Sequence, residues 1–301
     1  MNRLLVWYGE LITQRSLARR GLGFLGIGIL WLLLFIVLPG LVLVVVSLIT
    51  RGGYGELVWE FSLENYKRLM GFSVFGWTAD YIIILGRSVW VAFVTTFICV
   101  AISYPLAFFI CARPEKKRYL WLTLIIVPCW TNMVIRTYAW FLILAPNLPF
   151  AKAASWLKLI PADAPLYPNA MAVYLGMVSI FLPFVALPLY SSVERLDWSL
   201  VEAARDLYAS SVRVFTQAIL PQTLPGLSVG VIITFVPAMG MFVVPDLLGG
   251  AKYMLVGNLI QQQFGTSRDW PFGAAISMGL MVLTMISLQL YRRRGKDVEI
   301  L

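Results

Sequence analysis

Residue types decide first which chemistry this chain is unable to perform. Its 301 residues include no His, which removes imidazole metal sites, Ser-His-Asp triads and Cys-His pairs together. The three cysteines, Cys99, Cys111 and Cys129, share no CxxC spacing, and their odd number argues against a disulfide framework. They read as reduced thiols packed in apolar surroundings. Gly21-Leu22-Gly23-Phe24-Leu25-Gly26 matches G-x-G-x-x-G, but no strand precedes it and no βαβ unit surrounds it, so it fails as a dinucleotide site. Small residues at the mouth of a membrane helix account for it better. Arg294-Gly295-Lys296-Asp297 is not a phosphate loop either, because Leu290 stands where the first Gly belongs and Asp297 where Ser or Thr belongs. No catalytic group, metal or cofactor is therefore expected on this chain. If ATP drives it, another polypeptide binds the ATP.

Two segments remain that carry polar groups in informative places. In Trp130-Thr131-Asn132-Met133-Val134-Ile135-Arg136-Thr137-Tyr138-Ala139-Trp140, positions 132, 136 and 140 are four apart and share one helical face. A cation inside an apolar segment faces a partner or an aqueous cavity. Counting from residue 120 at 1.5 Å per residue puts Arg136 roughly 24 Å along its helix, toward the outer interface. Three readings stand: snorkelling to that surface, an ion pair with Asp80 or Asp246, or a place on a solute path. The second segment is 191–225. Ser199 and Glu202 form an S-x-x-E box that starts a short helix, and Ser210 is placed to cap a second one ending before Pro221. Two short amphipathic helices beneath a membrane bundle make either a solvated connector or a knob that docks in a groove.

The elements that must position these groups follow from composition. The chain is 60% apolar and only 13% charged, with a mean hydropathy of +0.81, against about 25% charged in a soluble domain. Charge-free runs are long enough for six bilayer-spanning helices of about 20 residues each, near 24–50, 84–111, 120–145, 169–190, 226–248 and 271–291. They are far longer than the alternating strands of a membrane barrel. Pro105, Pro128, Pro183, Pro188, Pro237 and Pro245 lie in or at the ends of these runs, and Val236-Pro237-Ala238-Met239-Gly240 is the most disruptive, read either as a packing kink or as a hinge lining a path.

Six spans put both termini on one side. Fifteen Lys and Arg lie in the segments on that side against seven on the other, so the termini are expected in the cytoplasm. The net charge of +9 flanks apolar segments and marks no nucleic-acid face. Residues 1–23 form a tail, solvated or lying as an interfacial helix on lipid, and 292–301 form a second tail. The external loop 51–80 is too short for a domain, and the first apolar run begins too late and runs too long for a signal peptide. The fold class is an all-α integral membrane protein.

Glu202-Ala203-Ala204, followed by Ile219-Leu220-Pro221, resembles the EAA loop of ABC-importer permeases. Tyr104-Pro105-Leu106-Ala107, the Pro128–Trp140 segment, Phe242-Val243-Val244-Pro245-Asp246-Leu247-Leu248-Gly249-Gly250 and Arg268-Asp269-Trp270-Pro271 resemble the spermidine/putrescine group of these permeases, over about residues 80–301. The resemblance implies a type I ABC-importer permease fold in the bacterial inner membrane and alternating access driven from outside the chain. It implies cytoplasmic ATPase subunits, a second homologous permease and a periplasmic substrate-binding protein as partners. Glu202, Ala203, Ala204, Arg205, Asp206 and Leu207 become the ATPase-coupling candidates, and Asn132, Arg136, Tyr138, Trp140 and Asp246 the candidates for path or gate. Against the family pattern, Tyr208 stands where Gly is usual, Met241 where an acid is usual, Asp246 for Glu, and Arg87 for Asn. An autonomous secondary carrier is the competing class, but no threefold P-x-[DE]-x-x-[KR] repeat is present and the spans carry no midplane acid.

Overall fold

The computed structural model describes residues 28–73, 76–145, 166–250 and 253–296, together with positions 26, 148, 152 and 156. The expected tail 1–23 lies outside the described residues. Of the expected tail 292–301, residues 292–296 continue the last helix.

Helix α1 (Gly28–Ser47) exposes Leu30, Trp31, Phe35 and Ile36 and packs chiefly against the last helix. An outer cap follows: strands β1 (Ile49–Arg51) and β2 (Leu57–Phe61), helix α2 (Glu64–Leu69), and strands β3 (Phe72–Ser73) and β4 (Gly76–Trp77). β1 and β2 pair antiparallel with Thr50 opposite Val58, and β3 pairs with β4. Helix α3 (Asp80–Cys111) then crosses. Two helices, α4 (Glu115–Trp130) and α5 (Met133–Ile143), meet at a bend of 95°. Helix α6 (Ala170–Glu194) leads through a short helix α7 (Trp198–Asp206) into α8 (Ser211–Met239), and then come α9 (Val243–Gly249), α10 (Val256–Phe264) and α11 (Trp270–Lys296).

Every backbone N–H and C=O in a bilayer must find a partner inside its own segment or in covering protein, and the break between α4 and α5 obeys this. Pro128 supplies no amide hydrogen, so the chain tightens into a turn at Val127–Trp130 and leaves the helical region at Thr131 and Asn132. Thr131 Oγ1 donates to the Pro128 carbonyl at 2.7 Å, and Asn132 Oδ1 accepts from Val134 N at 2.8 Å.

The pair is a broken span rather than a re-entrant loop, because its two ends meet opposite ends of α6. Arg118 of α4 reaches Glu194 at 3.4 Å. At the far end Leu166 N donates to Leu144 O at 3.2 Å, and the rings of Phe141 and Tyr167 stand 4.3 Å apart. Five unbroken helices and this bent pair, counted as one, give six candidate crossings among the described residues. The expected single span over 120–145 is thereby corrected to a bent one.

The core lies where α3, α6 and α8 meet, around Val91, Cys99, Met177, Val185, Ala238 and Met239. Gly226 and Gly230 form a G-x-x-x-G face on α8 that lets its backbone approach α6. A Cβ on Gly226 would collide with Pro188 O and Ser192 Oγ, and one on Gly230 would sit 3.1 Å from Val185 Cα. The expected fifth span, 226–248, is shifted: its helix begins at Ser211 and ends at Met239, two residues past Pro237. Pro237 does not hinge the helix at its middle; the turn comes at Gly240. Gly226→Leu is expected to destabilise the purified chain by about 1–3 kcal/mol through overpacking. Val229→Ala, on the exposed side of the same helix, should leave the thermal unfolding midpoint in detergent nearly unchanged.

The outer cap is fastened to α11 through one carboxylate. Asp269 is 2% exposed, accepts from Arg68 at 2.8 Å, lies 3.6 Å from Arg51 and accepts from Phe272 N at 3.3 Å. The Arg68 guanidinium stacks 4.0 Å over the Phe272 ring.

Candidate functional site

The segment between α6 and α8 is a rigid elbow. Asp197, not Ser199, caps α7: its Oδ1 accepts from Ser199 N at 3.0 Å and from Ser199 Oγ at 2.7 Å. These bonds favour the charged carboxylate and hold the Asp197 carboxyl below its ordinary range. Asp197 N in turn donates to Gln222 Oε1 at 2.9 Å, which ties the start of α7 to α8. The expected second short helix ending before Pro221 is also corrected. From Ser211 the chain passes through a π-helical turn at Phe215–Ile219 straight into the membrane-crossing part of α8, with Pro221 at its first positions. Ser210 occupies the cap position of that helix but makes no side-chain cap bond.

The far end of α7 explains the departure at Tyr208. Tyr208 N donates to Arg205 O at 2.9 Å, and Ala209 N to Ala204 O at 3.1 Å, the paired bonds of a Schellman turn. That turn needs a left-handed residue, and Tyr208 has φ +56°. Val201 anchors the inner face of α7 against Leu196 and Val214, with Ala204 and Ile219 packed beside them.

Of the six expected coupling residues, Ala204 turns inward. Glu202, Ala203, Arg205, Asp206 and Leu207 are exposed. With Leu200 half exposed, Leu207 81% exposed and Tyr208 97% exposed, they form a mixed apolar and charged surface of the kind that a partner covers. Tyr208→Gly removes the left-handed penalty and is expected to stabilise the chain by about 1 kcal/mol; a rise in the unfolding midpoint checks it, and no rise would mean the turn is unstrained.

The five expected path residues do not form one site. Asn132 is the cap of α5, and Trp140 Nε1 donates to Ser179 Oγ at 2.8 Å, joining α5 to α6. Ser179, which the sequence did not single out, passes the bond on to Gly176 O at 2.7 Å. Tyr138 is half exposed on another face and meets Phe141 edge-on. Asp246 is exposed on the first turn of α9. Arg136 makes no ion pair with Asp80 or Asp246: among the described residues the ion pairs are Arg51–Asp269, Arg68–Asp269 and Arg118–Glu194.

Ser179 lies nine residues into α6, about 14 Å below its outer end, and Arg136 is one turn before the Trp140 that binds it. Leu248 O accepts from Asn169 N at 3.3 Å, and Val244 and Leu248 pack over Gly176 of α6, so α9 lies alongside α5 and α6 with Asp246 turned to the exposed side. Met241 is buried in the central core, so the acid usual at that position is not missing from an open path. Arg87 lies 5.6 Å over the Tyr253 ring.

Comparison with known proteins agrees with this architecture. A family model described as binding-protein-dependent transport system inner membrane component matches residues 109–296. The spermidine/putrescine transport system permease protein PotB of Salmonella typhimurium (strain SL1344) is 41% identical over 266 residues, covering 88% of this chain and 90% of that one. PotB of Escherichia coli (strain K12) shows the same identity over 88% and 94%. The inner membrane ABC transporter permease protein YdcU of Escherichia coli (strain K12) is 28% identical, covering 78% and 77%. Among solved structures, a chain of the bacterial alginate ABC transporter, in complex with an alginate pentasaccharide-bound periplasmic protein, superposes with a TM-score of 0.67 at 14% identity. That match covers 95% of this chain and 98% of that one, and it speaks for the fold. With six crossings, an exposed elbow rigidly joined to a span and 41% identity across 88% of its length, the chain belongs to the inner membrane components of binding-protein-dependent transport systems.

Proposed function

We propose that this chain is a transmembrane subunit of an ATP-driven importer that carries putrescine, spermidine or a related small polycation across the inner membrane. The observation that carries the mechanism is the elbow. The exposed surface around Glu202 belongs to a helix capped at both ends, hydrogen-bonded to α8 through Gln222 and packed against α8 through Val201 and Val214. A push on that surface moves a span rather than a loose loop. The polyamine substrate rests on the PotB relatives, whose names state it.

In this reading both termini and the elbow face the cytoplasm, in line with the excess of Lys and Arg there. Two ATPase subunits bind the elbow surfaces of this chain and of a second permease. Closure of the ATPase dimer rocks the spans between inward-open and outward-open arrangements, and a periplasmic binding protein delivers the solute. The chain itself contributes packing and position. ATP hydrolysis belongs to the separate subunits.

The test is Glu202→Lys in cells that depend on this system, with ATP-dependent uptake of labelled putrescine as the readout. Reversing a charge at a docking surface places like charges together and costs several kcal/mol. Uptake is therefore expected to fall by at least about tenfold while the chain still inserts. Unchanged uptake would overturn the coupling role. Wild-type uptake of a different solute in place of putrescine would overturn the substrate.

A further inference from the structure

The bundle is not closed on the side of its last helix. A cavity of about 500 Å³ separates α11 from α3 and α8. Along α8 it runs from Leu220 to Phe235, about 22 Å at 1.5 Å per residue. At the outer end Leu280 of α11 packs against the central core. Toward the elbow α3 and α8 close on each other. There Tyr104 Oη and Thr223 Oγ1 share a hydrogen bond at 2.9 Å, and the Tyr104 and Phe215 rings meet edge-on at 5.4 Å. The cavity opens sideways past Phe93 and Phe97, which line it and are 55% and 64% exposed.

The lining has nothing to offer a polar occupant. Its hydroxyls are spent within their own helices: Thr96 Oγ1 donates to Ala92 O at 2.7 Å, and Ser287 Oγ to Leu283 O at 2.8 Å. No acid lines it, so a polycation finds no counter-charge there. Nor does a protein helix fit. Spread over its length, the cavity has a cross-section of roughly 22 Å², against roughly 80 Å² for a helix 10 Å wide. A single file of methylenes is the shape that remains. Half a hydrocarbon layer is about 15 Å deep, so one acyl chain is taken in along its whole length.

Charge selects the head of that lipid. Arg113 follows α3 and Arg213 lies in the first turn of α8, both exposed, while Arg292, Arg293, Arg294 and Lys296 end α11. Arg292 comes one helical turn after Leu288, a lining residue. Within α3, α8 and α11 the sole acid is Asp80, at the far end of α3; Asp297 and Glu299 lie outside the described residues. We infer that this cavity is a site for one acyl chain of an anionic phospholipid, with the phosphate held among the cations at the elbow end. The site depends neither on the identity of the solute nor on the direction of transport.

The experiment uses the complete complex. A photoreactive residue at Phe97, in native membranes, is expected to cross-link to phospholipid; cross-linking to another polypeptide overturns the inference. The purified complex is then stripped of lipid, reloaded with phosphatidylglycerol or phosphatidylcholine, and weighed intact by native mass spectrometry. Phosphatidylglycerol is expected to be retained at about tenfold lower concentration than phosphatidylcholine, as for a head group near two or more cations. Equal retention of the two overturns the inference.

Val231→Trp fills the cavity and is expected to cost the complex one retained phosphatidylglycerol, whereas Val282→Trp, on the exposed side of α11, should cost none. Retention by an assembled Val231→Trp complex at the wild-type level overturns the site. Arg213→Gln combined with Arg292→Gln leaves the cavity open and is expected to lower the preference for phosphatidylglycerol by on the order of tenfold. An unchanged preference in that variant overturns the inference even where Val231→Trp fails to assemble.

Discussion

A bilayer offers no hydrogen bonds, and that constraint governs where this chain is allowed to bend. The breaks occur where side chains or turns take over the work of the helical ladder. Asn132 caps α5 directly after the break, and Thr131 closes back on Pro128. The same constraint makes α5 depend on α6, because the Trp140 indole finds its acceptor only in Ser179. The broken span is thus held at both ends and in the middle by α6, and α6 is held by the glycines of α8. Packing order runs outward from that glycine face.

On the proposed function, the elbow is where a surface contact would be converted into a displacement of the bundle. Val201 and Leu196 seat α7 against the first turns of α8, while Glu194, three residues before the cap Asp197, pairs with Arg118 at the start of the broken span. Tyr190 donates to the same Glu194 oxygen at 2.7 Å. The end of α6, the elbow and the start of α4 therefore share one polar junction. Exposed pairs such as Arg118–Glu194 add little to stability, and a weak, geometrically specific junction suits a joint that must change shape during a cycle.

The sequence carried the apolar, multi-helix character of the chain and the presence of a short helix at Glu202 because these depend on local signals: charge-free length and the Glu202-Ala203-Ala204 segment. It misplaced features decided by competition between near neighbours. Asp197 outcompetes Ser199 as the cap because it stands first and accepts two bonds from Ser199 itself. The bend at Thr131–Asn132 was masked because its flanks are apolar throughout, so composition alone joins α4 and α5 into one span. Side-chain direction was the least legible quantity: Arg136 and Asp246 looked like partners on charge alone, but Asp246 is exposed and Arg136 has two enclosed donors without a partner. The positive φ at Tyr208, by contrast, was readable as a requirement of the turn before any coordinates, since Gly is usual there.

The Asp269 junction has a consequence for how the molecule is made. Arg68 and Asp269 are separated by 201 positions in the chain, and four of the crossings lie between them. The outer cap is synthesised early and carries two arginines whose shared counter-ion reaches the membrane only as the last helix begins. The cap is tied to the neighbouring α1 by Asn65 and Tyr66, but its clasp to the far end of the chain waits for Asp269. A chain truncated before Asp269 therefore lacks both the α11 crossing and the clasp that holds the cap.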